Sequence, residues 1–226
     1  MRAMILAAGR GQRMRPLTDD LPKPLLRAGR HSLIEYHLLK LAQLGVREVV
    51  INHAWLGHKI EKYLGDGSRY GIKILYSPEP EGGLETAGGI IRALPLLGAE
   101  PFWVINGDIY TDLDFHALPQ QLASDIDAHL LLVDNPPHHQ QGDFAIKNGL
   151  LVDSQTDEKS YTFSGIGLYR PQFFAKYAAG VELFLPLRPL LNEALQQQRI
   201  SASVFSQRWV DVGTPERLAE LNKELG

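Results

Sequence analysis

The sequence predicts an α/β protein, a Rossmann-like and mostly parallel sheet with helices on both faces, folded as one domain over residues 1–226. Three observations carry this expectation. Short apolar runs alternate with stretches whose apolar residues recur every three or four positions, the periods of strands and helices respectively. Two of those runs lead into Gly9 and into Gly107-Asp108, at the carboxyl ends of strands, where open α/β sheets place their ligand crevice. The length of 226 residues lies within the roughly 200–250 that a single domain commonly reaches.

The elements follow in order. Ala3 to Ala8 reads as a buried parallel strand that empties into a glycine-rich loop. Leu33 to Leu44 carries Leu33, Ile34, Leu38, Leu41 and Leu44 as a helical stripe closed by Gly45. Val46 to Asn52 reads as a buried strand, His58 to Leu64 as a short helix closed by Gly65, and Ile72 to Tyr76 as a third strand. Leu84 to Leu94 suits a helix entered through a glycine-rich turn, and Phe102 to Asn106 a strand that stops at Gly107-Asp108. In the second half His129 to Val133 and Phe163 to Tyr169 are strands, and Phe144 to Val152 is a hairpin turning at Asn148-Gly149. Leu187 to Gln198 and Pro215 to Leu225 are helices. No internal repeat, low-complexity tract or linker interrupts the pattern.

Composition excludes several classes. With 23 Lys and Arg against 26 Asp and Glu the net charge is −3, which offers no bulk attraction to nucleic acid or to anionic membranes. The absence of cysteine removes disulfides, thiolate metal sites and cysteine nucleophiles, and a reducing cytoplasm is the compatible compartment. The first apolar run is far shorter than the roughly 20 residues of a membrane span, and glycine and arginine break it where a signal peptide would need its apolar region. Neither nucleic acid nor membrane is an expected partner.

The chemistry concentrates in Leu6 to Thr18 and in Pro22-Lys23-Pro24. Gly9 and Gly11 let the backbone turn so that bare N–H groups approach a polyphosphate, while Arg13, Arg15 and Lys23 can meet its charge. Two better-known glycine loops are excluded. Met14 stands where a dinucleotide fingerprint needs its third glycine, and the chain contains no Gly-Lys dipeptide from which a P-loop could be built.

Gly9-x-Gly11-x-Arg13-x-x-Pro16-x-Thr18 followed by Pro22-Lys23-Pro24 resembles the signature of the sugar-1-phosphate nucleotidyltransferases, and the likeness extends over nearly the whole chain. The resemblance implies a single-domain nucleotidyltransferase core. It also implies attack by a sugar-phosphate oxygen on the α-phosphorus of a nucleoside triphosphate, with pyrophosphate expelled. The substrates would be that triphosphate and a sugar 1-phosphate, and the cofactor Mg2+. In the family pattern Arg13 neutralises the triphosphate and the leaving pyrophosphate, and Lys23 binds the α-phosphate and the sugar phosphate. Arg15 is left open between a phosphate contact and a surface residue.

The same resemblance assigns nucleotide binding to Ala7, Ala8, Gly9 and Gly11 of the first loop, to Glu79 and Gly83 of the segment Ser77 to Gly89, and to Asn106, with the base met by Ala7, Ala8 and Gly9 and by that second segment. Many relatives carry glutamine in that second segment. Glu79 and Glu81 cannot donate to a base carbonyl, and Leu84-Glu85-Thr86-Ala87-Gly88 is similar to guanylyltransferases, so a purine nucleotide stays open beside UTP. Asp108 and Asp211 fall at the family's metal-holding aspartates. Each taken alone reads as a turn or capping residue. Asp112-Leu113-Asp114 reads better as a helix cap than as a metal motif.

At the sugar end Gly142, Asp143 and Ser164 match positions where relatives touch sugar hydroxyls. The loop Asp134 to Phe144 and Asn52 to Gly57 are similar to family members that use N-acetylmuramate 1-phosphate, and His138 or His139 is the expected partner for the lactyl carboxylate of that sugar. His53 and Trp55 read as structural. Guanylyl, thymidylyl or cytidylyl transfer to another sugar or alcohol phosphate remains an alternative, as does a non-catalytic nucleotide-sugar-binding regulator. Arg13, Lys23, Asp108 and Asp211 together favour the enzyme, and oligomeric state is not legible.

Overall fold

A computed structural model of the chain describes residues 1–154 and 158–226. Strand β1 (Arg2–Leu6) is followed by a short hairpin, β2 (Arg27–Ala28) and β3 (His31–Ser32), and by helix α1 (Leu33–Gln43). Then come β4 (Glu48–His53), α2 (Gly57–Leu64), β5 (Lys73–Pro78), α3 (Glu85–Leu97), β6 (Phe102–Asn106) and β7 (Ile109–Thr111). The second half supplies β8 (Ala128–Val133), β9 (Phe144–Lys147), β10 (Leu150–Asp153), β11 (Ser160–Tyr169), α4 (Arg188–Gln196), β12 (Ile200–Val204), β13 (Trp209–Asp211) and α5 (Pro215–Leu225).

Nine strands form one sheet in the order β5-β4-β1-β6-β11-β8-β12-β10-β9. Side chains alternate across a strand, so Ala3 and Ile5 join one core and Met4 the other. Helices α1 and α2 cover the first face with Ile34, Leu38, Leu41, Ile60 and Leu64; α3 and α4 cover the second with Ala87, Ile90, Ile91, Leu190 and Leu191. A third cluster joins Met14, Leu26, Leu33, Tyr110, Val212, Leu218 and Leu221. It ties the first loop to β7 and α5.

The α/β class and the helices on both faces are as expected, with more antiparallel pairing than the alternation of elements suggests. β1, β4, β5 and β6 are mutually parallel, and β12 runs parallel to β8, whereas β11 is antiparallel to both β6 and β8. The physical reason lies in the connection. Between β8 and β11 the chain makes the β9–β10 hairpin in place of a crossover helix, so it returns in the opposite direction. That hairpin turns at Asn148 (φ 52) and Gly149 (φ 79), the two positive angles of its expected tight turn.

Other boundaries shift for local reasons. β1 ends at Leu6 and not at Ala8, because the Ala7 N–H donates to the Asn52 side chain (2.9 Å) outside the ladder. α3 continues through Pro95, whose missing N–H leaves the Ile91 carbonyl without its helical donor; the Gly180 N–H donates to that carbonyl at 2.9 Å. Asp114 caps the single turn Phe115–Ala117 by accepting from the His116 N–H (2.9 Å). Asp112 accepts from the Tyr110 hydroxyl (2.7 Å), so Asp-x-Asp serves local structure.

Candidate active site

The carboxyl ends of β1, β4 and β6 open on a cleft of about 860 Å³ lined by the first loop, by the 79–86 segment and by Asn106, Asp108 and Gly213. The first loop is built from its own sequence. Gly11 takes φ 68 and its carbonyl accepts from the Thr18 hydroxyl (2.8 Å) and from the Met14 N–H (2.9 Å). Met14, which breaks the dinucleotide pattern, is fully buried in the third cluster and anchors the loop there. The exposed Arg13 lines the cleft and makes no ion pair among the described residues. Arg15 pairs instead with Asp19 (2.5 Å) on the surface, outside the cleft lining.

Lys23 and Pro24 also line the cleft. Lys23 is only 8% exposed, and its ammonium donates to Asp108 Oδ2 at 2.5 Å. A buried lysine needs an anion beside it, and Asp108 supplies one. Gly107 brings Asp108 there, since its N–H donates to the Leu6 carbonyl (2.9 Å) and a Cβ at 107 would stand 2.7 Å from that same oxygen.

Asp211 reaches the same region through β13, which pairs antiparallel with β7 and sets Asp211 opposite Ile109. The Val212 N–H donates to the Asp108 carbonyl (3.2 Å). Asp211 Oδ2 accepts from Arg217 (2.7 Å), and among the described residues the second oxygen of neither aspartate takes a hydrogen bond. No set of three or more His, Cys, Asp or Glu suited to a metal exists among the described residues. Asp108, in the turn before β7, and Asp211, at the end of β13, each leave one carboxylate oxygen without a protein donor among the described residues, the kind of donor set magnesium takes when phosphate and water fill its remaining positions. They do not fit an all-protein metal cage.

Glu79 lines the cleft as expected, and its side chain is also tied into the protein. Its Oε1 accepts from Asn52 Nδ2 (2.6 Å) and its Oε2 from the Leu84 N–H (2.8 Å), while Asn52 Oδ1 accepts from the Ala7 N–H (2.9 Å). The chain Ala7–Asn52–Glu79–Leu84 thus braces the first loop against the second. Burial holds the Glu79 carboxyl above its ordinary pKa, opposed by these donors. Gly89 leaves the room, since a Cβ there would stand 2.5 Å from Glu79 Oε1. Ala8, Gly9, Gly83 and Asn106 line the cleft as expected.

The expected sugar residues lie outside the cleft lining. Ser164 is 0% exposed; its hydroxyl donates to the Leu131 carbonyl (2.7 Å) and accepts from the Ile166 N–H (3.2 Å), closing the bulge at which β11 shifts register. Its assignment as a sugar contact is corrected to a structural one. Asp143 accepts from the Phe163 N–H (2.9 Å) and from His139 (3.3 Å), and Gly142 (φ 64) packs against Asn135. His53, as expected, is structural, bonded to Glu61 (2.7 Å). Trp55 lines the cleft, donates to the Thr18 carbonyl (3.1 Å) and carries the Arg10 guanidinium 4.0 Å over its ring. Arg10, Asn52 and Arg217 escaped the sequence reading. An asparagine closing a strand was the available signal for Asn52, whereas Arg217 gave none, as a helix arginine remote from the motif.

The parallel half of the sheet thus opens on a basic glycine loop, with the buried Lys23 paired to the partly exposed Asp108 beside it. The sequence pattern of the nucleotidyl transferase family matches residues 2–226, and the chain belongs to that family. It is 54% identical to the N-acetylmuramate alpha-1-phosphate uridylyltransferase of Neisseria meningitidis serogroup B, covering 100% of this chain and 99% of that protein. The enzyme of the same name from Caulobacter vibrioides is 31% identical over 95% of this chain and 92% of its own. The solved inositol-1-phosphate CTP transferase from T. maritima superposes with a TM-score of 0.79 at 19% identity, covering 99% of this chain and 95% of that one, which shows the shared fold.

Proposed function

We propose that residues 1–226 act as one magnesium-dependent catalytic domain that transfers the uridylyl group of UTP to N-acetylmuramate 1-phosphate, giving the UDP-sugar and pyrophosphate. The single observation that carries this reading is the 54% identity to an enzyme of that name, end to end on both chains. Such a reaction draws on the UTP of the cytoplasm, and no helix among the described residues is long and apolar enough to cross a membrane.

The sugar phosphate is already an anion at neutral pH, so its oxygen attacks the α-phosphorus without a general base. Catalysis is then mostly positioning and charge neutralisation. Arg13, unpaired at the cleft, meets the triphosphate and the departing pyrophosphate. Lys23, held in a largely dry position, exchanges its Asp108 contact for the α-phosphate and the sugar phosphate. Asp108 and Asp211 would hold magnesium, which when bound neutralises phosphate oxygens. Asn52 and Glu79 keep the two nucleotide loops at a fixed separation.

The test is pyrophosphate release from the purified protein with each of the four ribonucleoside triphosphates against a panel of sugar 1-phosphates. UTP with N-acetylmuramate 1-phosphate should give the highest kcat/KM. Greater turnover with GTP or with a neutral hexose phosphate would replace the substrate assignment, and no turnover with any pair would leave only a binding protein.

A further inference from the structure

We propose that Arg217 reads the carboxylate of the acidic sugar phosphate and so sets the preference for a lactyl-bearing sugar over a neutral one. This rests on the reading just given, which it deepens by naming the specificity residue. The guanidinium sits where Asp211, His138 and the cleft wall meet. Arg217 Nη1 donates to Asp211 Oδ2 (2.7 Å) and to His138 Nε2 (2.7 Å). Its Nη2 lies against Gly213, a cleft-lining residue: a Cβ at 213 would stand 2.4 Å from Nη2. Glycine at that position leaves room for the guanidinium to lie against the wall.

Arginine can only donate, so in this contact His138 Nε2 is the acceptor. His138 orients the guanidinium, and the positive charge available to a substrate carboxylate is that of Arg217. His139 is bonded to Asp143 (3.3 Å), and Arg188 donates to the Asp143 carbonyl (3.0 Å) and stacks on Phe144 (4.2 Å), so neither competes for the role. A guanidinium carries five N–H donors in a planar fork that suits a carboxylate. Among the described residues only Nη1 of Arg217 donates from the side chain; Nε and Nη2 make no hydrogen bond, on a side chain 17% exposed. Those free donors beside a cleft-lining glycine are what an incoming carboxylate needs.

The experiment compares kcat/KM, and calorimetric Kd, for N-acetylmuramate 1-phosphate and N-acetylglucosamine 1-phosphate in wild type, Arg217→Gln and Arg217→Lys. A charge-assisted pair of this kind corresponds to roughly tenfold to a hundredfold in selectivity. Arg217→Gln should lower the muramate-to-glucosamine ratio by that factor, and Arg217→Lys, which keeps the charge and loses the fork, by a smaller one. If Arg217→Gln proves unfolded by thermal melt, Arg217→Lys alone decides, with an unchanged ratio overturning the proposal. An equal fall for both sugars would mean that Arg217 only supports Asp211, and would also overturn it. A wild type without preference for the muramate compound would fail the substrate reading itself, a result visible before any variant is made.

Discussion

At the scale of single residues, two of the cations that line the cleft are in different states. Lys23 is buried and satisfied by Asp108, whereas Arg13 stands at the cleft with no partner among the described residues. Arg13→Ala should therefore lower kcat about 10²–10³-fold, the loss typical of one charge-stabilising donor, with little effect on the KM of the sugar phosphate. Lys23→Ala should impair both parameters, because its ammonium serves both substrates. Steady-state pyrophosphate release reads these effects; an Arg13→Ala enzyme with unchanged kcat and a raised KM for the sugar would reverse the roles. Asp108→Ala and Asp211→Ala should each abolish nearly all turnover, as should chelation of magnesium. Wild-type turnover by the double variant would remove the metal assignment. Glu79 makes a different kind of prediction. Removing its carboxylate in Glu79→Ala strands the Leu84 N–H and Asn52 Nδ2, about 1–3 kcal/mol for each buried group left unpaired. A lowered urea midpoint together with a raised KM for the nucleotide would show the brace at work, and a change in base preference alone would restore Glu79 to base reading.

At the scale of elements, the strand–helix alternation of the first half was legible because each run is bounded by glycine and carries one clear period. The hairpin at Asn148-Gly149 was legible for the same local reason. What the sequence concealed depends on contacts between distant segments. The antiparallel return of β11 follows from a connection without a crossover helix. The passage of α3 through Pro95 depends on a donor from Gly180, 85 residues further along the chain (180 − 95). Ser164 was expected at the sugar by resemblance alone, and the bulge that occupies its hydroxyl, with the Leu131 carbonyl on a separate strand, is not legible from a local pattern. The site motifs were legible where one loop carries them all; the Asn52–Glu79 brace and Arg217 join pieces that no local pattern connects. One element-level consequence concerns the segment that crosses α3. A Cβ at Gly88 would stand 1.9 Å from the Leu183 carbonyl oxygen, and the Gly88 N–H donates to Leu185 (3.0 Å). Gly88→Ala should push this segment away and cost about 1–3 kcal/mol, as overpacking does, measured as a lower denaturant midpoint. An unchanged midpoint would mean that the segment is not held against the helix.

At the scale of the whole molecule, the buried His37 and the half-buried His129 link stability to pH. His37 is packed between α1 and β7 with Nε2 donating to the Ile109 carbonyl (3.0 Å), and burial lowers its pKa to about 4. His129 lies between Ser201 and Ser203 (2.8 and 2.9 Å), and burial lowers it likewise to about 4. Both values fall below the ordinary 6.5 of an unfolded chain, so as pH drops the unfolded state takes up protons first. Their contribution is complete above about pH 6.5 and is lost progressively toward pH 4. It amounts to about 3 kcal/mol for His37 and less for the partly exposed His129. The urea midpoint should fall between pH 7 and pH 5, a window in which ordinary carboxylates stay ionised, and a flat profile there would show that neither ring is held neutral.

The central claim is that this cleft joins a sugar phosphate to the α-phosphate of UTP, and phosphorus NMR with isotopic label tests it most directly. N-acetylmuramate 1-phosphate carrying ¹⁸O in its non-bridging phosphate oxygens would be turned over with unlabelled UTP and magnesium. The expected product is a UDP-sugar whose α-phosphorus signal shows the isotope shift of a labelled bridging oxygen, together with pyrophosphate free of label. Label in the pyrophosphate, or release of inorganic phosphate with no nucleotide sugar formed, would contradict it.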